Sequence, residues 1–294
     1  MTEPALLMLA HGSRDAEARA EYVRIHEALA ARLAPCTVVF SALEFPDDDR
    51  LASIEEGWRR CLAAGAERIV ALPFFLFPAG HVREDLPAEL RAARDVAGWA
   101  SLDLLPPLGP ADEILDTLHS RATDALAQQA SAAGAEAGSA ALIVVGAGTS
   151  DPDANGDLCK ASRLLWERFP DHYAMVETAW VSLTRPTVSE VVERCRRLGA
   201  ERIVVSPYFL NTGVLLKRID ARLAEARERY PDLSIARAAH FGLHPRLLDL
   251  VEQRARAALQ GPGSDDGGQA VCCRPSCNSV VVGRASLAGA VPAR

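Results

Sequence analysis

Short apolar runs alternate with longer segments of helical period along most of the chain, the pattern expected of βα units around a parallel sheet. Runs at Leu6–Ala10, Thr37–Leu43, Arg68–Leu72 and Ser101–Leu105 predict strands. The amphipathic stretches among them predict helices near Ala16–Leu33, Leu51–Ala64, Leu86–Val96 and Ala111–Gln129. A second series follows in the same order. Its strands are expected at Ala141–Val145, Tyr173–Trp180, Arg202–Ser206 and Ser234–Ala239, and its helices near Asn155–Phe169, Thr187–Leu198, Val214–Arg229 and Pro245–Leu259.

The two series are copies. Ala66-Glu67-Arg68-Ile69-Val70-Ala71-Leu72-Pro73-Phe74-Phe75-Leu76 returns as Ala200-Glu201-Arg202-Ile203-Val204-Val205-Ser206-Pro207-Tyr208-Phe209-Leu210. The copies differ where it matters for chemistry. Gly80 leads into His81 but Gly213 leads into Val214, and His11 of Ala10-His11-Gly12-Ser13-Arg14 stands opposite Ala147 of Gly146-Ala147-Gly148-Thr149-Ser150. The repeat divides the chain into a first lobe over residues 1–130 and a second over 140–260, each of common domain size and long enough for its own core. The small, flexible composition of 131–139 reads as a linker and 261–294 as a poorly ordered, cysteine-containing tail.

Composition narrows the partners. A net charge of −7 offers no basic field for nucleic acid or an anionic membrane. Met1-Thr2-Glu3-Pro4 lacks the basic start of a secretory signal, and no apolar stretch reaches the roughly 20 residues of a membrane span. Of seven cysteines, Cys36, Cys61, Cys159 and Cys195 are scattered among predicted elements, where free thiols act as small apolar groups. A reducing cytoplasm is the expected compartment, with a monomer or homodimer as the assembly.

In open α/β sheets, ligands collect beyond the carboxyl ends of the strands. His11 follows the first strand, Glu44 the second, and His81 lies in the loop after the third, so three segments deliver His, Glu and His to one edge. Imidazole and carboxylate suit a divalent metal, and three ligands leave positions for exchange. Histidine also takes protons near neutrality. The plainer reading makes each histidine a hydrogen-bonding residue at a strand end, and Glu44, followed by Asp47-Asp48-Asp49, one more solvated acid. Arg83 suits substrate carboxylates through its planar guanidinium group. The apolar run Phe74–Pro78 before His81 presents surface to a flat ligand. His26, His119 and His172 read as surface residues, and His240 and His244 as candidates for an auxiliary role.

These elements resemble the sirohydrochlorin chelatases of the CbiX/SirB type. Ala10-His11-Gly12-Ser13-Arg14, Leu43-Glu44 and Pro73–Asp85 carry the likeness in the first copy. Ser150–Asn155 and Pro207–Leu215 carry it to that family's long, two-domain form, over roughly residues 5 to 259. The resemblance implies a class II chelatase fold, with two tandem flavodoxin-like α/β lobes facing a central cleft. It implies ATP-independent insertion of Co²⁺ into sirohydrochlorin for cobalamin synthesis, or of Fe²⁺ for siroheme; the same ligands accept Ni²⁺. Its paired histidines map onto His11 and His81 and its carboxylate onto Glu44. Its carboxylate-rich substrate makes Arg14 and Arg83 candidates for the rim, with a solvated arginine as the plainer reading of each.

The tail departs from the pattern. Cys272, Cys273 and Cys277 form Cys-Cys-x-x-x-Cys, one thiolate short of the usual four of an iron–sulfur cluster. A fourth ligand from elsewhere, thiol capture of metal, or no cluster all remain open. Two other functions compete. A phosphotransfer enzyme with His11 as nucleophile usually has an arginine directly before the histidine, whereas Ala10 stands here. A metal or tetrapyrrole carrier would use the same cleft without turnover. No glycine-rich dinucleotide fingerprint follows Gly12.

Overall fold

The computed structural model describes residues 3–47, 50–77, 85–133 and 140–261. Two parallel sheets form, each flanked by helices on both faces. The first contains β1 (Ala5–Ala10), β2 (Val38–Ala42), β3 (Ala52–Ser53), β4 (Arg68–Pro73) and β5 (Ser101–Leu104), in the order β3-β2-β1-β4-β5. The second contains β6 (Ala140–Gly146), β7 (Met175–Trp180), β8 (Arg202–Pro207) and β9 (Ser234–Arg237), in the order β7-β6-β8-β9. Every paired neighbour runs parallel. This is the tandem α/β architecture that the hydrophobic pattern predicts.

The helices are α1 (Ala16–Leu33), α2 (Ile54–Ala63), α3 (Leu86–Ala97), α4 (Asp112–Ala133), α5 (Pro152–Arg168), α6 (Val188–Arg197), α7 (Val214–Arg229) and α8 (Pro245–Leu259). Helix α4 runs to Ala133, four residues past the expected Gln129 and into the expected linker, and two helix starts moved for local reasons. Helix α5 starts at Pro152 rather than Asn155, because Asp151 caps it by accepting from the Asp153 amide, and proline tolerates the first helical position. Helix α2 starts at Ile54, where Ser53 accepts from the Glu56 amide and closes a two-residue strand too short to leave a periodic signal.

Side-chain alternation sorts each strand's residues to two faces. On β1, Leu7 and Leu9 join Ile54, Trp58 and Cys61 of α2 and Leu90 of α3. Leu6, Met8 and Ala10 face the other way, toward Tyr22, Ile25 and Leu29 of α1 and Leu247 and Val251 of α8. In the second sheet, Ile143 and Val145 join α6 and α7, whereas Leu142 and Val144 pack with Leu158 and Leu165 of α5 and Leu115 and Leu118 of α4.

The last helix of each copy has therefore crossed over. Helix α4 follows β5 yet lies against β8 and β9, and α8 follows β9 yet lies against α1, β1 and β4. Polar contacts fix the exchange. Arg202 at the start of β8 donates to the Leu126 carbonyl at 3.3 Å, and Arg68 at the start of β4 donates to the Ala258 carbonyl at 2.6 Å. Arg254 of α8 donates to the Pro107 and Leu108 carbonyls at 2.7 and 3.0 Å. One cluster of buried residues runs through both halves as a result. Instead of two self-sufficient cores, the halves share their largest one.

Candidate active site

His11 follows the last residue of β1, at the carboxyl edge of the first sheet. The turn around it is built by backbone. The Leu43 amide donates to the Ala10 carbonyl at 3.0 Å and the Glu44 amide to the His11 carbonyl at 2.9 Å, so two predicted site residues sit on adjoining strand ends. Gly12 makes this possible. Its φ is +88°, and a Cβ there would lie 1.8 Å from the Glu44 carbonyl oxygen. Ser13 accepts from the Asp15 amide at 3.1 Å, and Asp15 caps α1 through the Glu17 and Ala18 amides. Arg19 donates to the Ser13 and Arg14 carbonyls at 3.1 and 2.8 Å, holding the turn from the helix side. The Arg14 guanidinium lies 4.4 Å from the centroid of the Phe45 ring.

The second lobe repeats this scaffold almost bond for bond. Gly148 has φ +83°, and a Cβ there would lie 1.8 Å from the Ser182 carbonyl oxygen. The Ser182 amide donates to the Ala147 carbonyl at 3.0 Å, Thr149 accepts from the Asp151 amide at 3.1 Å, and Asn155 donates to the Thr149 carbonyl at 2.7 Å. Even the strained residue recurs, as Phe45 at φ 49° and Leu183 at φ 59°. What differs is the chemistry mounted on it. His11 is matched by Ala147, Glu44 by Ser182 and Arg14 by Ser150, leaving the second turn without an imidazole or a carboxylate at those positions.

His81 and Arg83 lie outside the described residues, as do Cys272, Cys273 and Cys277. Of the proposed metal ligands, the described residues contain His11 and Glu44. Among the described residues no group of three or more His, Cys, Asp or Glu side chains is close enough to hold a metal ion.

The carboxyl ends of the two sheets meet. Phe77, after β4, stacks on Tyr208, after β8, with ring centroids 5.0 Å apart and planes 16° from parallel. Gly109 fits beneath, where a Cβ would meet the Leu76 carbonyl oxygen at 2.8 Å and the Tyr208 hydroxyl at 2.9 Å. Beside His11, the amino end of α7 abuts that of α1. Lys217 pairs with Asp15 at 2.9 Å and Glu17 at 3.0 Å, and its hydrogen bond, with that of the Ala18 amide, holds the Asp15 carboxyl below the usual carboxylate range. Val214, the counterpart of His81, is therefore on the second-lobe wall next to the His11 turn.

A buried acid went unnoticed in the sequence. Glu21 of α1 is 5% exposed and accepts from His240 Nε2 at 2.9 Å on each oxygen and from the Thr212 amide at 2.6 Å. Burial alone raises its pKa, but these bonds outweigh that cost and hold it below the ordinary glutamate value. The signal was present: Glu21 falls on the apolar stripe of Ala18, Tyr22, Ile25 and Leu29. Three plainer expectations also fail, the first at His26, which is partly buried with Nε2 3.0 Å from the Val38 carbonyl oxygen rather than a surface residue. His119 is half-buried, stacked on Phe169 at 3.7 Å with Nδ1 bonded to the Tyr173 hydroxyl, rather than a surface residue. Cys159 is exposed, whereas Cys61 and Cys195 are buried as expected of free thiols.

Comparison with known proteins agrees with this geometry. The CbiX family matches residues 5–125 and 141–258, which are the two copies. The chain is 35% identical over 260 residues to the sirohydrochlorin cobaltochelatase of Priestia megaterium, covering 87% of this chain and 80% of that protein. It is 25% identical over 267 residues to the sirohydrochlorin ferrochelatase of Bacillus subtilis (strain 168), covering 90% and 96%. SirB from Bacillus subtilis, solved with Fe³⁺, superposes with a TM-score of 0.73 at 25% identity, over 86% of this chain and 94% of that one. The chain belongs to the CbiX family.

Proposed function

We propose that the protein is a sirohydrochlorin cobaltochelatase, a lyase-type enzyme that inserts Co²⁺ into sirohydrochlorin without ATP in cobalamin synthesis. The observation that carries this reading is the asymmetry of the duplicated turn. One scaffold bears His11 and Glu44, and its twin bears Ala147 and Ser182 on the same backbone bonds. Family membership and the 35% identity to a cobaltochelatase support the metal choice.

In this reading, His11, His81 and Glu44 receive the metal ion, which is a substrate. The tetrapyrrole must lose two pyrrole N–H protons as the metal sheds its water, and imidazole can hold metal or proton in turn. Arg14 and Arg83 meet the substrate's carboxylates at the rim. Arg14 is exposed beside Phe45, whose ring it covers, and the pair offers charge and a flat apolar surface together. The second lobe encloses the macrocycle. Insertion of Fe²⁺ is the second reading, favoured by the 25% identity to a ferrochelatase, and the nitrogen and oxygen donors do not by themselves separate the two metals or Ni²⁺. No described helix is long and apolar enough to cross a membrane, and a cytoplasmic monomer or homodimer completes the proposal.

The test is anaerobic incubation of the purified protein with sirohydrochlorin and Co²⁺, Fe²⁺ or Ni²⁺, followed by absorbance. Fastest insertion is expected with Co²⁺. His11→Ala and His81→Ala should each lower kcat/KM by about 100-fold or more, the usual scale for losing a proton-transfer group. Insertion by both variants at the wild-type rate would refute the site. Replacing Cys272, Cys273 and Cys277 together by serine should leave the rate unchanged, keeping the tail and any cluster out of the chemistry.

A further inference from the structure

Polar contacts from the second lobe converge on α1 one to two turns beyond the His11 turn. His240, after β9, faces both Glu21 oxygens at 2.9 Å, and an ionised carboxylate only accepts, so the His240 proton must be on Nε2. The Thr212 amide, after β8, donates to the same carboxylate at 2.6 Å, and the neighbouring Asn211 side chain donates to the Thr212 carbonyl at 3.1 Å, bracing the loop. Gly213, at φ +150°, brings the loop into ordinary contact with α1, a Cβ placed there lying 3.9 Å from the Ala18 Cβ. Gly242 is the confined one, a Cβ there falling 3.1 Å from Glu21 Oε1.

The mirror contact is built differently. Backbone bonds align Leu105 with Ala238, through the Ala71 and Val205 carbonyls, and Leu108 with Phe241, through the Phe75 and Phe209 carbonyls. The position matching His240 is therefore Pro107, which has no side-chain donor. The imidazole is present on the side where the second lobe meets the helix that follows His11.

We propose that Glu21 and His240 form a latch that holds the Asn211–Val214 loop against α1 and so sets the position of the second-lobe wall beside His11. Both are positioning residues for tetrapyrrole binding, an assignment that rests on reading this edge as the chelation site. The Glu21 carboxylate, at 5% exposure, takes two donors from the other lobe, the His240 N–H shared between its oxygens and the Thr212 amide. It is costly to leave half-satisfied, so losing the His240 donor loosens the loop that carries Thr212.

The experiment compares wild type with His240→Ala and His240→Gln, the latter retaining an N–H donor. His240→Ala should raise KM for sirohydrochlorin about tenfold, with kcat within about threefold, as expected when a charge-assisted hydrogen bond that orders a binding wall is lost. His240→Gln should recover most of that loss. In hydrogen exchange without substrate, Thr212 and its neighbours should lose protection in His240→Ala and regain it in His240→Gln. An unchanged KM in His240→Ala, a loss confined to kcat, or undiminished Thr212 protection would each overturn the latch. Should His240→Ala not fold, Glu21→Gln, which weakens the same bonds at constant volume, replaces it in both measurements. If the wild type inserts no metal, the functional reading falls, and the exchange comparison alone decides whether the latch exists.

Discussion

Gly12 shows how one residue carries both the fold and the site. With φ at +88° and the Glu44 carbonyl 1.8 Å from where a Cβ would stand, no side chain fits without parting the ends of β1 and β2. Gly148 stands in the same conformation against Ser182. Gly12→Ala and Gly148→Ala should therefore cost similar stability, about 1–3 kcal/mol each from backbone strain, with the clash adding to it. Their activities should part. Gly12→Ala separates His11 from Glu44 and should lower chelation at least tenfold in protein that remains folded, whereas Gly148→Ala should stay within a few-fold of wild type. Denaturant titration with the chelation assay checks this, and equal losses of activity would mean that the second turn also touches the reacting groups. At this scale the sequence was partly readable. The pairing of His11 with Ala147 follows from alignment of the copies, but Glu44 and Ser182 lie in loops where the copies share too little for alignment. Glu21 announced itself as a charge on an apolar stripe; its partner is 219 residues away, beyond any local pattern.

At the scale of elements, strands and helices were largely legible because each is a run of one period. Helix ends were read less well, since Asp151-Pro152 is a cap followed by a first-turn proline and not a loop. The crossover of α4 and α8 was not readable. An apolar stripe specifies that a helix is buried, not which of two similar sheets buries it. Its energetic consequence is large. Leu247, Leu248, Leu250 and Val251 of α8 are buried, each worth about 1.5–3 kcal/mol, or roughly 6–12 kcal/mol together. That is comparable with the whole stability of a typical domain, about 5–15 kcal/mol. Residues 1–133 expressed alone should therefore lack a cooperative unfolding transition and bind a hydrophobic dye, having lost α8 and kept α4 with no sheet beneath it. A sharp transition with native near-ultraviolet dichroism would show that the first half closes its own core.

For the whole molecule, the shared core predicts one unfolding event. Calorimetry at neutral pH should give a single transition with equal calorimetric and van't Hoff enthalpies, and two peaks would contradict the continuous core. Acid should weaken it in two stages. Burial, reinforced by repulsion from His172, lowers the His119 pKa from 6.5 to about 4, so between those values the unfolded chain binds more protons than the folded one. Stability is then fully present above pH 6.5 and declines as pH falls toward 4. Glu21, held below its usual 4.5 against the cost of burial by His240, Thr212 and the nearby Arg24, adds a loss as pH falls below 4.5 through its own folded value. The midpoint of the single transition should follow this course, and His119→Gln should flatten the portion between 6.5 and 4. A slope unaltered in that variant would mean that the imidazole stays protonated in the folded protein. The crossed helices also restrict how a large flat molecule gains entry. Two lobes joined by a plain linker can swing apart like jaws, but here each lobe is closed by an arm of the other, and opening at a hinge would strip both cores. A large flat substrate must therefore reach the sheet ends with the two lobes in place, without a jaw-like parting of the halves.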